Sequence, residues 1–135
     1  MVSCLLLQSL LLLVAVRYYV RHDYLVNSPS FVSSVVVVNG VMLLLVIGNL
    51  GQAAIWALLF EALGEFDDYG TAFYHSLVNF ATLGYGDIVM SDERRLLGPL
   101  QAINGVVMIG VSTAALMATV QDAARKTMQA RRRQG

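Results

Sequence analysis

The residues with chemistry to offer lie in one short stretch, Ala81-Thr82-Leu83-Gly84-Tyr85-Gly86-Asp87. Two glycines, a threonine and a carboxylate stand there between two long apolar segments. Such a composition makes a poor helix and a poor strand, so irregular backbone is expected. At membrane depth, irregular backbone is tolerated only where it is buried in protein or lines a water-filled path. Glycine at alternate positions opens backbone conformations closed to other residues, and successive carbonyls can then point one way. A row of inward carbonyls can replace the hydration shell of a dehydrated cation. A bare Gly-x-Gly is a common loop turn. The ordered run from Thr82 to Asp87, set between membrane-length segments, is far more specific, because context carries most of a motif's weight.

The composition says what surrounds that stretch. The chain has 135 residues, 57% of them hydrophobic and 13% charged, with a mean hydropathy of +0.65. A soluble domain carries about a quarter charged residues, so this is the composition of a membrane protein. The length allows one small domain. A net charge of zero implies no nucleic-acid partner. Cys4 is the single cysteine, so no intrachain disulfide and no cysteine metal cluster is expected; it reads as a small apolar residue. Neither His-Glu-x-x-His nor Gly-x-Ser-x-Gly occurs, and His22 and His75 are far apart, so no enzyme is expected.

Three apolar segments must position the stretch. Residues 4–20 form a leucine-rich run ended by Arg17, Tyr18 and Tyr19. The basic residues follow the run, unlike a signal peptide, so a short membrane span is expected, with Arg17 and the tyrosines at the interface. A polar linker follows, with a helix start at Pro29. Residues 31–60 would make a helix of about 45 Å at ~1.5 Å per residue, longer than the hydrocarbon core of ~30 Å. Asn49, Gln52 and Trp56 share one face of it, expected to pack on protein. Residues 71–81 read as a helix too short to span, hence re-entrant, capped by Asp68 or Thr71. Its C-terminal end carries partial negative charge, which favours a cation beside it. Gly98-Pro99 starts the last apolar segment, which is expected to end at Gln121-Asp122.

Charge gives the orientation. The loop over 61–95 holds Glu61, Glu65, Asp67, Asp68, Asp87, Asp92 and Glu93 against Arg94 and Arg95. The other side holds Arg17, Arg21, Arg125, Lys126 and Arg131, Arg132 and Arg133 against Asp23 and Asp122. Basic residues stay cytoplasmic, so the loop and the N-terminus should face out of the plasma membrane and the C-terminus in.

From about residue 38 to 121 the chain resembles the pore domain of small bacterial potassium channels. Thr82-Leu83-Gly84-Tyr85-Gly86-Asp87 is similar to their Thr-Val-Gly-Tyr-Gly filter, with leucine for valine. Ala72-Phe73-Tyr74-His75-Ser76 resembles the aromatic start of their pore helices, and residues 105–116 resemble their inner helix, including Gly105, Gly110 and the Thr113-Ala114-Ala115-Leu116 run. The first helix and the basic tail lie outside what the two-helix channels share. The resemblance implies an all-α membrane fold of three transmembrane helices, a re-entrant pore helix and a filter loop, assembled as a homotetramer. Residues 1–30 would be an N-terminal helix and linker, and 31–121 the pore domain. Within it the outer helix spans about 35–60, the pore helix 71–81, the filter 82–87 and the inner helix 97–121. Residues 122–135 would form a basic cytoplasmic tail.

By the same resemblance, the carbonyls of Thr82, Leu83, Gly84, Tyr85 and Gly86 would bind potassium, the permeant ion, with the Thr82 hydroxyl closing the innermost site and no cofactor needed. Asp87 would brace the filter through Tyr74. Ile109, Thr113, Met117 and Gln121 recur every fourth residue and match cavity-lining positions, with Met117 as a constriction. Gly105 and Gly110 are gating hinges or close-packing points, with packing the expected role for Gly110. Arg125, Lys126, Arg131, Arg132 and Arg133 would meet anionic lipid or serve only to set the topology. Asn79 and Ala81 depart from common threonines, Val78 from a glutamate found in some channels, and Met90 from a proline. A potassium-selective passive channel is therefore expected. The alternatives are a weakly selective monovalent cation channel and a non-conducting membrane scaffold or subunit.

Overall fold

Runs of leucine, valine and alanine with few polar breaks fold as helices, and helices account for most of the described residues. The computed structural model describes residues 2–26 and 31–132. The expected turn at Asn27-Ser28-Pro29-Ser30 and Arg133 lie outside the described residues, as does the Arg131 side chain. Helix α1 spans Val2–Arg21, α2 is a single turn at Asp23–Val26, α3 spans Phe31–Ala62, α4 Tyr69–Phe80 and α5 Leu97–Arg132. No strand occurs among the described residues. α1, α3 and α5 are each long and apolar enough to cross a membrane, so this is an all-α membrane protein with three candidate spans and one short helix between the second and third.

The inner helix was expected to stop at Gln121 and instead runs on to Arg132. Ala123, Ala124, Arg125, Lys126, Gln129, Ala130 and Arg132 are strong helix formers, and no glycine or proline interrupts them. The described part of the basic tail is thus helical. α3 ends on Gly64, whose φ is +73°. Gly64 N–H donates to the Glu61 carbonyl at 2.8 Å and Glu65 N–H to the Phe60 carbonyl at 3.1 Å, a Schellman cap with glycine in its left-handed position.

The chain divides into two compact units. The first is Met1–Leu7 with Gly48–Gly110. Its core gathers Cys4, Trp56, Ala57, Phe60 and Ala72, with Ala53, Phe80 and Met108 in a second cluster. Gln52 and Trp56 are buried there and Asn49 is half-buried, so the polar face of α3 packs on protein.

The second unit is Gln8–Ile47 with Val111–Gly135. Ala15, Val41 and Leu45 form its centre, and Tyr18 packs so closely on Gly40 that a Cβ there would overlap the ring, at 2.8 Å from Cε1. Ser34 and Thr127 share a buried hydrogen bond of 2.7 Å. Lys126 is paired within the chain. Its ammonium lies 2.6 Å from Asp23 Oδ1 and 2.8 Å from Asp122 Oδ2, over the Tyr19 ring, while Tyr19 Oη donates to Asp122 Oδ2 at 2.8 Å. Two carboxylates of the chain thus share the Lys126 charge.

Candidate functional site

The site is built on α4. Asp68 caps it: the carboxylate accepts the Thr71 N–H at 3.0 Å, satisfying one of the helix's unpaired donors. Ala72, His75, Ser76, Val78 and Phe80 give α4 its buried side. Ser76, fully buried, is the pin. Its hydroxyl donates to the Ala53 carbonyl of α3 at 2.6 Å, and Gln101 of α5 donates Nε2–H to the Ser76 carbonyl at 3.0 Å. The short helix is thereby fixed to both of its long neighbours within the first unit. Gln101 is a residue sequence reasoning missed; its signal was a lone amide in an apolar helix, which must find a partner when buried.

The far end of α4 turns directly into the candidate filter. Thr82 N–H donates to the Asn79 carbonyl at 2.9 Å, and Leu83 N–H to the Val78 carbonyl at 2.8 Å. These are the two bonds of a Schellman cap, in which the left-handed position normally goes to glycine. Thr82 occupies it, with φ +58°. Gly84 and Gly86 follow at φ +57° and +74°, while Leu83 and Tyr85 keep negative φ. The backbone hand therefore alternates residue by residue from 82 to 86. A row of carbonyls turned to one side needs backbone conformations of this kind, which glycine opens. A β-branched residue at positive φ is strained by about 1–3 kcal/mol, and nothing in the sequence flagged Thr82 for it.

Beyond the filter the chain is tied back. Tyr74 Oη donates to Asp87 Oδ2 at 2.7 Å. That bond holds the Asp87 carboxyl below the usual aspartate value and raises the Tyr74 phenol above its own. Glu65, its side chain only 3% exposed, accepts the Ser91 N–H and hydroxyl, each at 2.9 Å, and pairs with Arg94 at 2.9 Å. The Ser91 N–H foremost, with its hydroxyl and Arg94, keeps Glu65 below its ordinary value although burial opposes this. The acidic loop is therefore partly a set of braces as well as a solvated face.

Gly105 and Gly110 differ in what surrounds them. A Cβ on Gly105 would run into the Phe80 backbone, whose carbonyl carbon would lie at 2.9 Å, whereas nothing lies within 4 Å of one on Gly110. Within the chain the close-packing glycine is Gly105, which lets α5 meet the end of α4. Thr82, Leu83, Gly84, Tyr85, Gly86 and Asp87 are all exposed, and so are Ile109, Thr113, Met117 and Gln121 on α5. Thus the structure gathers Tyr74, Asp87, the filter residues and Gly105 around the end of α4. Thr113, Met117 and Gln121 belong to the second unit.

A short helix leading into a loop of alternating hand thus lies in the chain between the two apolar helices α3 and α5. An ion-channel family model matches residues 41–122, more than half of the chain. The protein belongs to this ion-channel family, a class that moves ions and makes no covalent bonds. Searches of curated proteins and of solved structures gave no match.

Proposed function

We propose that the protein is a passive, potassium-selective channel that works as a homotetramer in the plasma membrane. The observation that carries this reading is the alternating backbone hand at Thr82, Gly84 and Gly86 within the Thr-Leu-Gly-Tyr-Gly run. One chain supplies one such strand, and four around an axis would make rings of carbonyls from Thr82, Leu83, Gly84, Tyr85 and Gly86. Rings of this kind replace a cation's hydration shell. The apolar exposed faces of α1, α3 and α5 then meet lipid or neighbouring subunits. Ile109, Thr113, Met117 and Gln121, all exposed on α5, are the proposed pore-lining residues of that helix. Arg125 and Arg132 face anionic headgroups at the cytoplasmic side, each worth ~1 kcal/mol near the surface.

Rubidium or potassium flux into liposomes holding only this chain, with sodium as the comparison, tests the reading. The expected result is potassium flux well above sodium flux, blocked slowly by barium at the Thr82 ring. Equal fluxes would assign a weakly selective cation channel, and no flux a non-conducting subunit. Orientation is tested with tags. One at residue 1 should be labelled outside intact cells, and one at residue 135 only after permeabilisation.

A further inference from the structure

His75 is an imidazole in an apolar pocket with both ring nitrogens engaged. It is 7% exposed, with Phe60 and Phe66 at ring-centroid distances of 5.8 and 4.9 Å. Nδ1 lies 3.0 Å from the Ile88 carbonyl oxygen, which can only accept, so Nδ1 carries the proton. Nε2 lies 2.8 Å from Asn79 Nδ2, which donates to it. The neutral ring satisfies both partners at once. Asn79 in turn accepts the Thr82 N–H on its backbone carbonyl at 2.9 Å and rests on Gly98, where a Cβ would lie 3.3 Å from Nδ2. A single run of bonds therefore links Ile88, just past the outer end of the filter, to Thr82 at its inner end, and the imidazole is its middle member.

We propose that His75 is a positioning residue for the filter: in its neutral form it ties the outer end at Ile88 to the pore helix at Asn79 and so holds the strand between them taut. This rests on the channel reading above. The tie is sensitive to proton uptake because of its geometry. A proton added at Nε2 would point at the amide hydrogens of Asn79, donor against donor, and that bond is lost. Burial already pushes the imidazole below its usual value, against the Ile88 bond and the charges of Asp87 and Glu65, which act the other way. Arg94 offsets Glu65, and Arg95 lines the cleft that holds His75 and Asn79. Asp87 and Glu65 are themselves held below their ordinary carboxylate values by Tyr74 and Ser91. Of the groups in this cluster, His75 is therefore the one whose ordinary value lies nearest neutral pH, and burial lowers it from there.

The sign follows. A histidine whose folded-state value is lowered contributes fully above its ordinary value near 6.5 and loses that contribution as pH falls through the lowered value. The test is potassium and sodium flux through the full chain in liposomes, with pH varied on the filter-loop side from 8 to 5. Selective flux should be high at pH 8 and fall on acidification, in wild type and in the His22→Gln control alike. His75→Phe, which suits the aromatic pocket, should give a flat profile at the low-pH level. Asn79→Asp offers the protonated ring an acceptor, so the tie survives proton uptake and flux should stay high at pH 5. A wild-type channel that is potassium-selective with unchanged flux from pH 8 to 5 overturns this inference and leaves the channel reading standing. So does a His75→Phe profile that still falls with pH. Absence of selective flux at pH 8 overturns the channel reading itself.

Discussion

Tyr74 and Asp87 stand on either side of the candidate filter and are joined directly, phenol to carboxylate, at 2.7 Å. One belongs to the helix that leads into the loop and the other to the residue that leaves it. The bond therefore clamps the far end of the loop while the Schellman cap at Thr82 anchors its start.

Removing that clamp with Tyr74→Phe should lower potassium-over-sodium selectivity in liposome flux without preventing assembly. It also predicts an acid dependence. The folded-state value of Asp87 is lowered, first by the Tyr74 hydroxyl, so the contribution is complete above about pH 4 and is lost as pH falls below it. Acid titration of the purified assembly should show this loss in the wild type and a shallower one in Tyr74→Phe. Superimposable acid limbs would deny Asp87 the role.

The two caps of this protein set up a second test. Gly64 and Thr82 close their helices with the same pair of bonds, but only Thr82 carries a side chain into positive φ. Thr82→Gly should relieve about 1 kcal/mol or more of backbone strain per subunit. It should also remove the hydroxyl of the innermost ring. Thermal stability should rise while barium block weakens. Gly84→Ala and Gly86→Ala impose the opposite change, a Cβ at positive φ, and should abolish flux or selectivity.

Much of this was legible in the sequence, and the gaps have physical causes. The motif, the short helix and its capping aspartate were visible because glycine pairs, segment length and Asp68 are local signals. The left-handed threonine was not, because its conformation is imposed by the helix end before it and the alternating strand after it. Asp122 read as a helix stop, since a carboxylate beside an apolar segment usually marks its edge. Lys126, one turn on, and Tyr19 absorb it, and the helix continues. Gly105 and Gly110 look alike in sequence; only the approach of the Phe80 backbone separates them.

That separation is measurable. Gly105→Ala drives a methyl into backbone atoms that have no side-chain freedom to yield, and overpacking of this kind costs about 1–3 kcal/mol. Gly110→Ala meets open space within the chain and gains about 0.5–1 kcal/mol of helix propensity. Thermal unfolding of the two variants should therefore move in opposite directions from wild type. A stable Gly105→Ala with normal flux would show that α5 can draw away from α4 without consequence.

The ion-pair cluster at the other end of α5 gives the extra helix a task. Asp23, just beyond α1, holds Lys126, and Tyr19 holds Asp122. Part-exposed pairs contribute about 1 kcal/mol or less each, so Lys126→Ala should lower stability only modestly. Asp23→Lys places like charges together and should do more. The exchange Asp23→Lys with Lys126→Asp should recover part of the loss, and failure to recover any would mean the pair acts independently.

Met117 provides the sharpest test of how the pore closes. Its side chain is 56% exposed on α5, one turn beyond the exposed Thr113. Four methionines converging in an assembly would make an apolar constriction narrow enough to exclude water. A charged group attached there would block both water and ions, whereas one attached off the path would not. Cys4 is 2% exposed beside Trp56 and Phe60, so Cys4→Ala clears the background without placing a hydroxyl in that core. In that background, Met117→Cys exposed to a charged thiol reagent from the cytoplasmic side should lose its current, and at a rate that rises when the channel is conducting. Complete labelling with undiminished current would place Met117 against a neighbouring subunit or lipid, and closure would then have to occur at the filter.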